Sequence, residues 1–160
     1  MALRKPLVII SGQVQQLQAG DTLDASAAEV DVVALTNGNA SAIVIGSPVY
    51  SDAAGSVDLA QANASGTVEV LGLVRDTSIA ASASGSIQTD GILAATTGQW
   101  DIVTGDTGGL VAGTVYYLDP TTAGKLTATA PTTTSQYVVR VGKAISTTEM
   151  EISIEPPILL

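Results

Sequence analysis

The string Gly105-Asp106-Thr107-Gly108-Gly109 imitates the segment that carries the nucleophile of a serine protease. Thr stands where Ser should, and the chain has no His to take up the hydroxyl proton, so the string reads as a turn. Ser82, Ser84 and Ser86 around Gly85 suggest a nucleophile elbow even less, and nothing in the spacing pairs them with Lys143 as a Ser-Lys dyad. A second constellation is Trp100 beside Asp101 and Asp106. An aromatic ring with two acids is the composition of a sugar-cleaving cleft, where one carboxyl protonates the leaving oxygen and the other acts as base or nucleophile. Loop Asp residues more commonly cap turns, and one Trp with four Tyr is little aromatic surface for a carbohydrate groove.

Metal and phosphate chemistry fare no better. With neither His nor Cys in 160 residues, thiolate and imidazole zinc sites, Cys-His centres and disulfides are all excluded. The Asp-x-Asp-x-Asp-Gly loop that calcium needs is absent, and Asp52 and Asp119 each stand alone in a turn. Gly142-Lys143-Ala144 follows a strand but lacks the rest of a P-loop. Asn39-Ala40-Ser41 and Asn63-Ala64-Ser65 fit the glycosylation pattern, but with Asn37-Gly38 nearby they mark turns. The sequence therefore predicts no enzyme, no catalytic residues, no metal centre and no cofactor.

The elements that would position any site are strands. Short Val, Ile, Leu, Thr and Tyr runs recur at 7–10, 30–35, 42–45, 68–74, 86–88, 114–118, 125–129, 137–141 and 149–154, with Gly, Pro, Asn and Asp between them. The clearest alternation is Met150-Glu151-Ile152-Ser153-Ile154-Glu155, apolar on one face and polar on the other. A helical turn is possible at 21–25 or at 96–103, where a Thr could cap a few residues ahead of Gly105. The expected class is all-β.

An internal repeat organises these strands. The string beginning Gly46-Ser47-Pro48-Val49-Tyr50-Ser51-Asp52 aligns with Gly113-Thr114-Val115-Tyr116-Tyr117-Leu118-Asp119. Val68 to Val74 then faces Val138 to Ala144, and Gly85 to Thr89 faces Met150 to Ile154. A unit of about fifty residues is too small to bury its own apolar face. The two copies, approximately 43–93 and 110–159, are therefore expected to share one small barrel or jelly-roll-like sandwich within a single domain, 31–160.

Residues 1–30 stand outside the repeat, as either an extended N-terminal arm that pairs with another subunit or an edge strand of the same domain. The apolar run from Leu7 to Ile10 is broken at Ser11-Gly12, too short for a signal peptide or a membrane span. A formal net charge of −9, from six cations and fifteen acids, argues against nucleic acid as a partner, and no membrane partner is expected. The chain closes on Ile158-Leu159-Leu160, three apolar residues with no local reason to be exposed.

Several strings together resemble the β module of tailed-bacteriophage virion proteins. They are Gly113-Thr114-Val115-Tyr116-Tyr117-Leu118-Asp119-Pro120, Gly124-Lys125-Leu126-Thr127, Tyr137-Val138-Val139-Arg140-Val141-Gly142-Lys143-Ala144 and Glu149-Met150-Glu151-Ile152-Ser153-Ile154. The opening from Gly12-Gln13-Val14-Gln15-Gln16-Leu17 to Leu23 is similar to the leader of head- and tail-fibre sequences. The resemblance covers most of the chain and implies a capsid decoration (cement) or head-fibre protein. It implies a homotrimer seated outside the head where capsomers meet, with the major capsid protein as partner. The alternative is a tail or head fibre or spike module that binds a host-surface receptor or glycan. The expected contacts with capsid or neighbouring subunits lie in the arm, at Leu3, Arg4, Lys5, Leu7 and Ile9, then Gln13, Gln15 and Leu17. Ile158, Leu159 and Leu160 complete the set.

Overall fold

The computed structural model describes residues 31–52 and 55–160 together with the backbone of 7–10 and 13–16. Among the described residues the protein is all-β apart from one short helix, as its periodicities imply; the helical turn expected at 21–25 lies outside the described residues. Near the N-terminus, β1 (Leu7–Ile10) pairs antiparallel with β2 (Gln13–Gln16), Leu7 opposite Gln16 and Ile10 opposite Gln13. This backbone forms a two-stranded sheet of its own.

The first unit contains β3 (Val32–Asn37), β4 (Ile43–Val44), β5 (Pro48–Ser51), β6 (Ser56–Leu59), β7 (Val70–Val74), β8 (Ser78–Ile79) and β9 (Ser84–Gln88). Five of these close into a barrel in the order β3-β6-β5-β7-β9, while β4 and β8 pair beside it. All barrel pairings are antiparallel except β3 with β6, which run parallel for two residue pairs. Ile43, Val49, Val57, Val74, Ile79 and Ile87 fill the interior. These are mostly β-branched side chains, which suit the pleated wall of a narrow barrel.

The second unit contains β10 (Gly91–Ala94), helix α1 (Thr97–Thr104), β11 (Val115–Leu118), β12 (Leu126–Thr127), β13 (Tyr137–Val138), β14 (Arg140–Ala144), β15 (Glu149–Ile152) and β16 (Ile158–Leu159). Its five-stranded sheet has the order β10-β15-β14-β11-β12. Traced from β3, the barrel has the same order, β3-β9-β7-β5-β6, but the second sheet stays open between β10 and β12. Closure is thus made by strands of the first unit alone, not by strands drawn from both.

The two units also take the same hydrogen bonds at the same places. Gly46 N–H donates to Val74 O at 2.8 Å, and Gly113 N–H to Ala144 O at 2.8 Å. Ser47 N–H donates to Val44 O at 3.2 Å, and Thr114 N–H to Val111 O at 3.0 Å. The register breaks between Val49 and Tyr50 on β5, and between Tyr116 and Tyr117 on β11. A bulge that recurs at one position of each unit is a feature of the unit, not a local defect. Next to each bulge lies a glycine where backbones approach closely. A Cβ on Gly72 would stand 2.4 Å from Gln88 O, and one on Gly142 2.5 Å from Glu151 O. In the last strand the structure sets Ile87 beside Val74 as it sets Met150 beside Ala144. That differs by two residues from the alignment read off the sequence. A slip of two keeps every side chain on its face, so the apolar pattern cannot detect it.

In the second unit α1 does what strand closure does in the first. Thr96 caps it, accepting from Gln99 N–H, while the Gln99 side chain accepts from Thr96 N–H, and Gly105 ends it in the left-handed region at φ 77°. Its buried face, Trp100 and Val103, joins Leu93, Leu110, Tyr116, Leu118, Met150 and Ile152 in one cluster. Leu73, Val68, Ala60 and Ala62 of the first unit belong to the same cluster, so the units share a core. Backbone bonds reinforce the contact: Gly124 N–H to Ala60 O at 2.8 Å, Ala62 N–H to Asp119 O at 3.1 Å and Tyr137 N–H to Ala62 O at 3.0 Å.

Candidate interaction surfaces

The constellations that could have carried chemistry resolve into structural roles. Trp100 is fully buried, with its indole N–H donating to Thr148 O at 3.0 Å. Its ring lies against Gly46, where an added Cβ would come within 2.9 Å of Cζ3. No face is left for stacking on a sugar. The Asp101 carboxylate accepts from Gly109 N–H at 2.6 Å and so ties the end of the Gly105–Gly109 turn to the helix. Asp106 is exposed. Asp119 accepts from Thr121 and Thr122 N–H at 2.6 and 2.8 Å, an Asx turn. Asn39 Oδ1 accepts from Ser41 N–H at 2.9 Å, and its amide donates to Asp58 at 2.7 Å. Among the described residues, no group of three or more potential metal ligands gathers at one place.

The residues expected to make contacts fall into three groups. Leu3, Arg4, Lys5 and Leu17 lie outside the described residues. Leu7 and Ile9 sit on β1, Gln13 and Gln15 on β2, in the register Val8 opposite Gln15 and Ile9 opposite Val14. Ile158 and Leu159 form β16, paired with Val138 and Tyr137 of β13. Leu160 continues that ribbon, donating its N–H to Gln136 O at 3.0 Å and accepting from Ser135 N–H at 3.1 Å. Adjacent residues of a strand point to opposite faces, yet Ile158 is 62% exposed and Leu159 60%, so both faces of β16 are bare.

Sequence reasoning missed a second feature, visible only when the two units are superposed position by position. Leu73 and Gln88 are paired across β7 and β9, and both are buried. Their counterparts across β14 and β15 are Lys143 and Glu151, both exposed. One copy of this face packs inside the chain and carries Leu and Gln. The other faces solvent and carries a cation opposite an acid, a favourable cross-strand pair. Arg140 bonds Glu155 at 2.9 Å on the same unit. Val111 and Ile145 are further exposed apolar residues near the end of this sheet, where Gly113 bonds Ala144. No periodic signal singles them out, because isolated apolar residues in loops are ordinary.

Compared with known proteins, the chain matches no family model and no curated protein. Among the described residues, no helix is long and apolar enough to cross a membrane.

Proposed function

We propose that this chain is a virion structural protein of a tailed bacteriophage. As a decoration or cement protein it binds the outer surface of the head between capsomers and braces the shell. Its partners are the major capsid protein and further copies of itself, assembled as a homotrimer. The observation that carries this reading is the pairing of two things. One is a body of two β units in which Trp100, Asp101 and Asp119, candidates for chemistry, are buried or bonded into turns. The other is the ribbon Ile158–Leu160, apolar and exposed on both faces.

Such a protein acts by occupancy. A ligand that binds only the assembled lattice stabilises that lattice by mass action, and many weak copies suffice through multivalency. The formal charge of −9 keeps decorated particles apart in solution. A sugar-binding or sugar-cleaving cleft would have taken its aromatic platform from Trp100, and that ring is buried.

Mixing the purified protein with undecorated capsids tests the reading. Saturable binding at a fixed stoichiometry is expected, together with a higher temperature of shell disruption. Absence of binding at micromolar protein would exclude the cement role. Light scattering on the free protein should return three times the 16.0 kDa chain mass.

A further inference from the structure

We propose that the β3–β6 seam is a built-in opening line along which the closed barrel converts to the open five-stranded sheet that the second unit already shows. The inference concerns the fold alone and does not rest on the virion reading.

Four observations converge on this seam. The first is its length. Among the described residues β3 meets β6 in two pairs, Thr36 with Ser56 and Asn37 with Val57, against five with β9; β7 meets β9 in two as well, but antiparallel. The two seam pairs are parallel, the slightly weaker geometry per residue.

The second is its chemistry. Asn37 is buried at the end of β3, but its side chain is engaged away from β6: the amide donates to Ile79 O at 2.8 Å and Ser41 O at 3.0 Å, and Oδ1 accepts from Asn39 N–H at 2.8 Å. Gly38 N–H crosses the seam to Val57 O at 2.8 Å, and the Asn39 amide crosses to Asp58 at 2.7 Å. The bonds that cross the seam exchange protein partners for water on opening, at a modest net cost for each.

The third is the twin unit. It keeps the same strand order with β10 and β12 unpaired, so the five-stranded arrangement does not depend on the seam. The fourth is the flank of β3. Val33 opposes Ile87 as Leu93 opposes Met150, yet Val33 is 41% exposed and Leu93 2%. Upstream of its two seam pairs, β3 is held by its pairing with β9 and by Leu35 against the barrel core.

Opening exposes Val57, Val49 and Ile87, at roughly 25 cal/mol per Å² of apolar surface. The closed form therefore dominates, and the open form is a minor state reached by local opening.

Native-state hydrogen exchange on the wild-type protein reads this directly. Gly38 and Gly46 donate to Val57 O and Val74 O at the same 2.8 Å, one across the seam and one inside the barrel wall. After correction for intrinsic rates, Gly38 is expected to exchange at least about tenfold faster than Gly46. Its exchange should also steepen with denaturant, because opening uncovers apolar surface. A disulfide across Thr36→Cys and Ser56→Cys should bring Gly38 to the rate of Gly46, and reduction should restore the difference. Equal rates in the wild type would overturn the proposal, since the barrel would then open only by global unfolding. Fast exchange with no denaturant dependence would overturn it too, as fraying of one residue. So would a stapled protein in which Gly38 stays fast.

Discussion

Trp100 shows how one side chain can organise two units. It lies in the helix of the second, bonds Thr148 beside the last sheet strand and packs its ring on Gly46 of the first. Gly46 and Gly113 have the same backbone, φ 80° and 82°, but nothing lies within 4 Å of a Cβ placed on Gly113. Comparing Ala at the two positions separates backbone strain from collision. Gly113→Ala should cost about 1–2 kcal/mol, the ordinary penalty of the left-handed region. Gly46→Ala should cost clearly more, because the ring must also move. Urea unfolding followed by Trp fluorescence checks both, and equal losses would show that Trp100 shifts freely. Trp100→Ala should itself lose about 3–5 kcal/mol by leaving a cavity in the shared core. At this scale the sequence was legible mainly by exclusion. The absence of His and Cys removes whole classes of chemistry whatever the fold. That Trp100 faces a glycine of the other unit and not solvent has no local signal, because the two residues meet only through tertiary packing.

Elements were legible where their local chemistry is self-contained. The cap Thr96, the partner Gln99 and the stop Gly105 all lie within one short string, and α1 forms between them. Thr96→Ala should lose about 0.5–2 kcal/mol with the capping box. Lys125, whose ammonium donates to Ile102 O near the helix end, supports α1 from the residue before β12. β15 follows its alternation, with Met150 and Ile152 inward and Glu149 and Glu151 outward. Strands β5, β8 and β10 are among those absent from the short runs read in the sequence, for definite reasons. β5 opens on Pro48, which a strand tolerates only at its first residue, and β8 has just two residues. β10 begins on a glycine, a punctuation mark in any pattern. The bonds at Gly46 and Gly113 also give matched sites where equal substitutions should have unequal effects. Leu73→Lys puts a charge into the shared core and should cost more than about 3 kcal/mol or prevent folding. Lys143→Leu, at the same place on the exposed sheet, should stay within about 0.5–1 kcal/mol of wild type by thermal or chemical unfolding. Comparable losses at both sites would mean that the two faces are not in different environments.

The whole molecule is where local patterns lose their grip. Similarity between the two halves is visible in the chain as strings of residues, but whether five strands close or stay open depends on what covers the inner face. Asn37 and β6 complete the first unit, Trp100 and Val103 cover the second, and no window of sequence holds both alternatives. The same limit applies to the surface. Three apolar residues at 158–160 can be counted in advance, but their exposure on both faces follows from β16 pairing along one edge with β13, which is itself held to the body by the bond from Tyr137 N–H to Ala62 O. That geometry separates stability from association. Ile158 and Leu159 contribute little to folding because most of their surface is already wet. Replacing both with Ser should therefore leave the unfolding midpoint within about 0.5 kcal/mol of wild type. If the ribbon is a contact surface, the same double variant should lower the average mass seen by light scattering and weaken capsid binding severalfold, mainly through faster dissociation. A variant that assembles and binds like the wild type would take the ribbon out of the interface. Binding would then have to be carried by the residues of the hairpin or by the charged face of Lys143 and Glu151. The second of those predicts loss of binding with added salt, whereas contact through an apolar ribbon tolerates it.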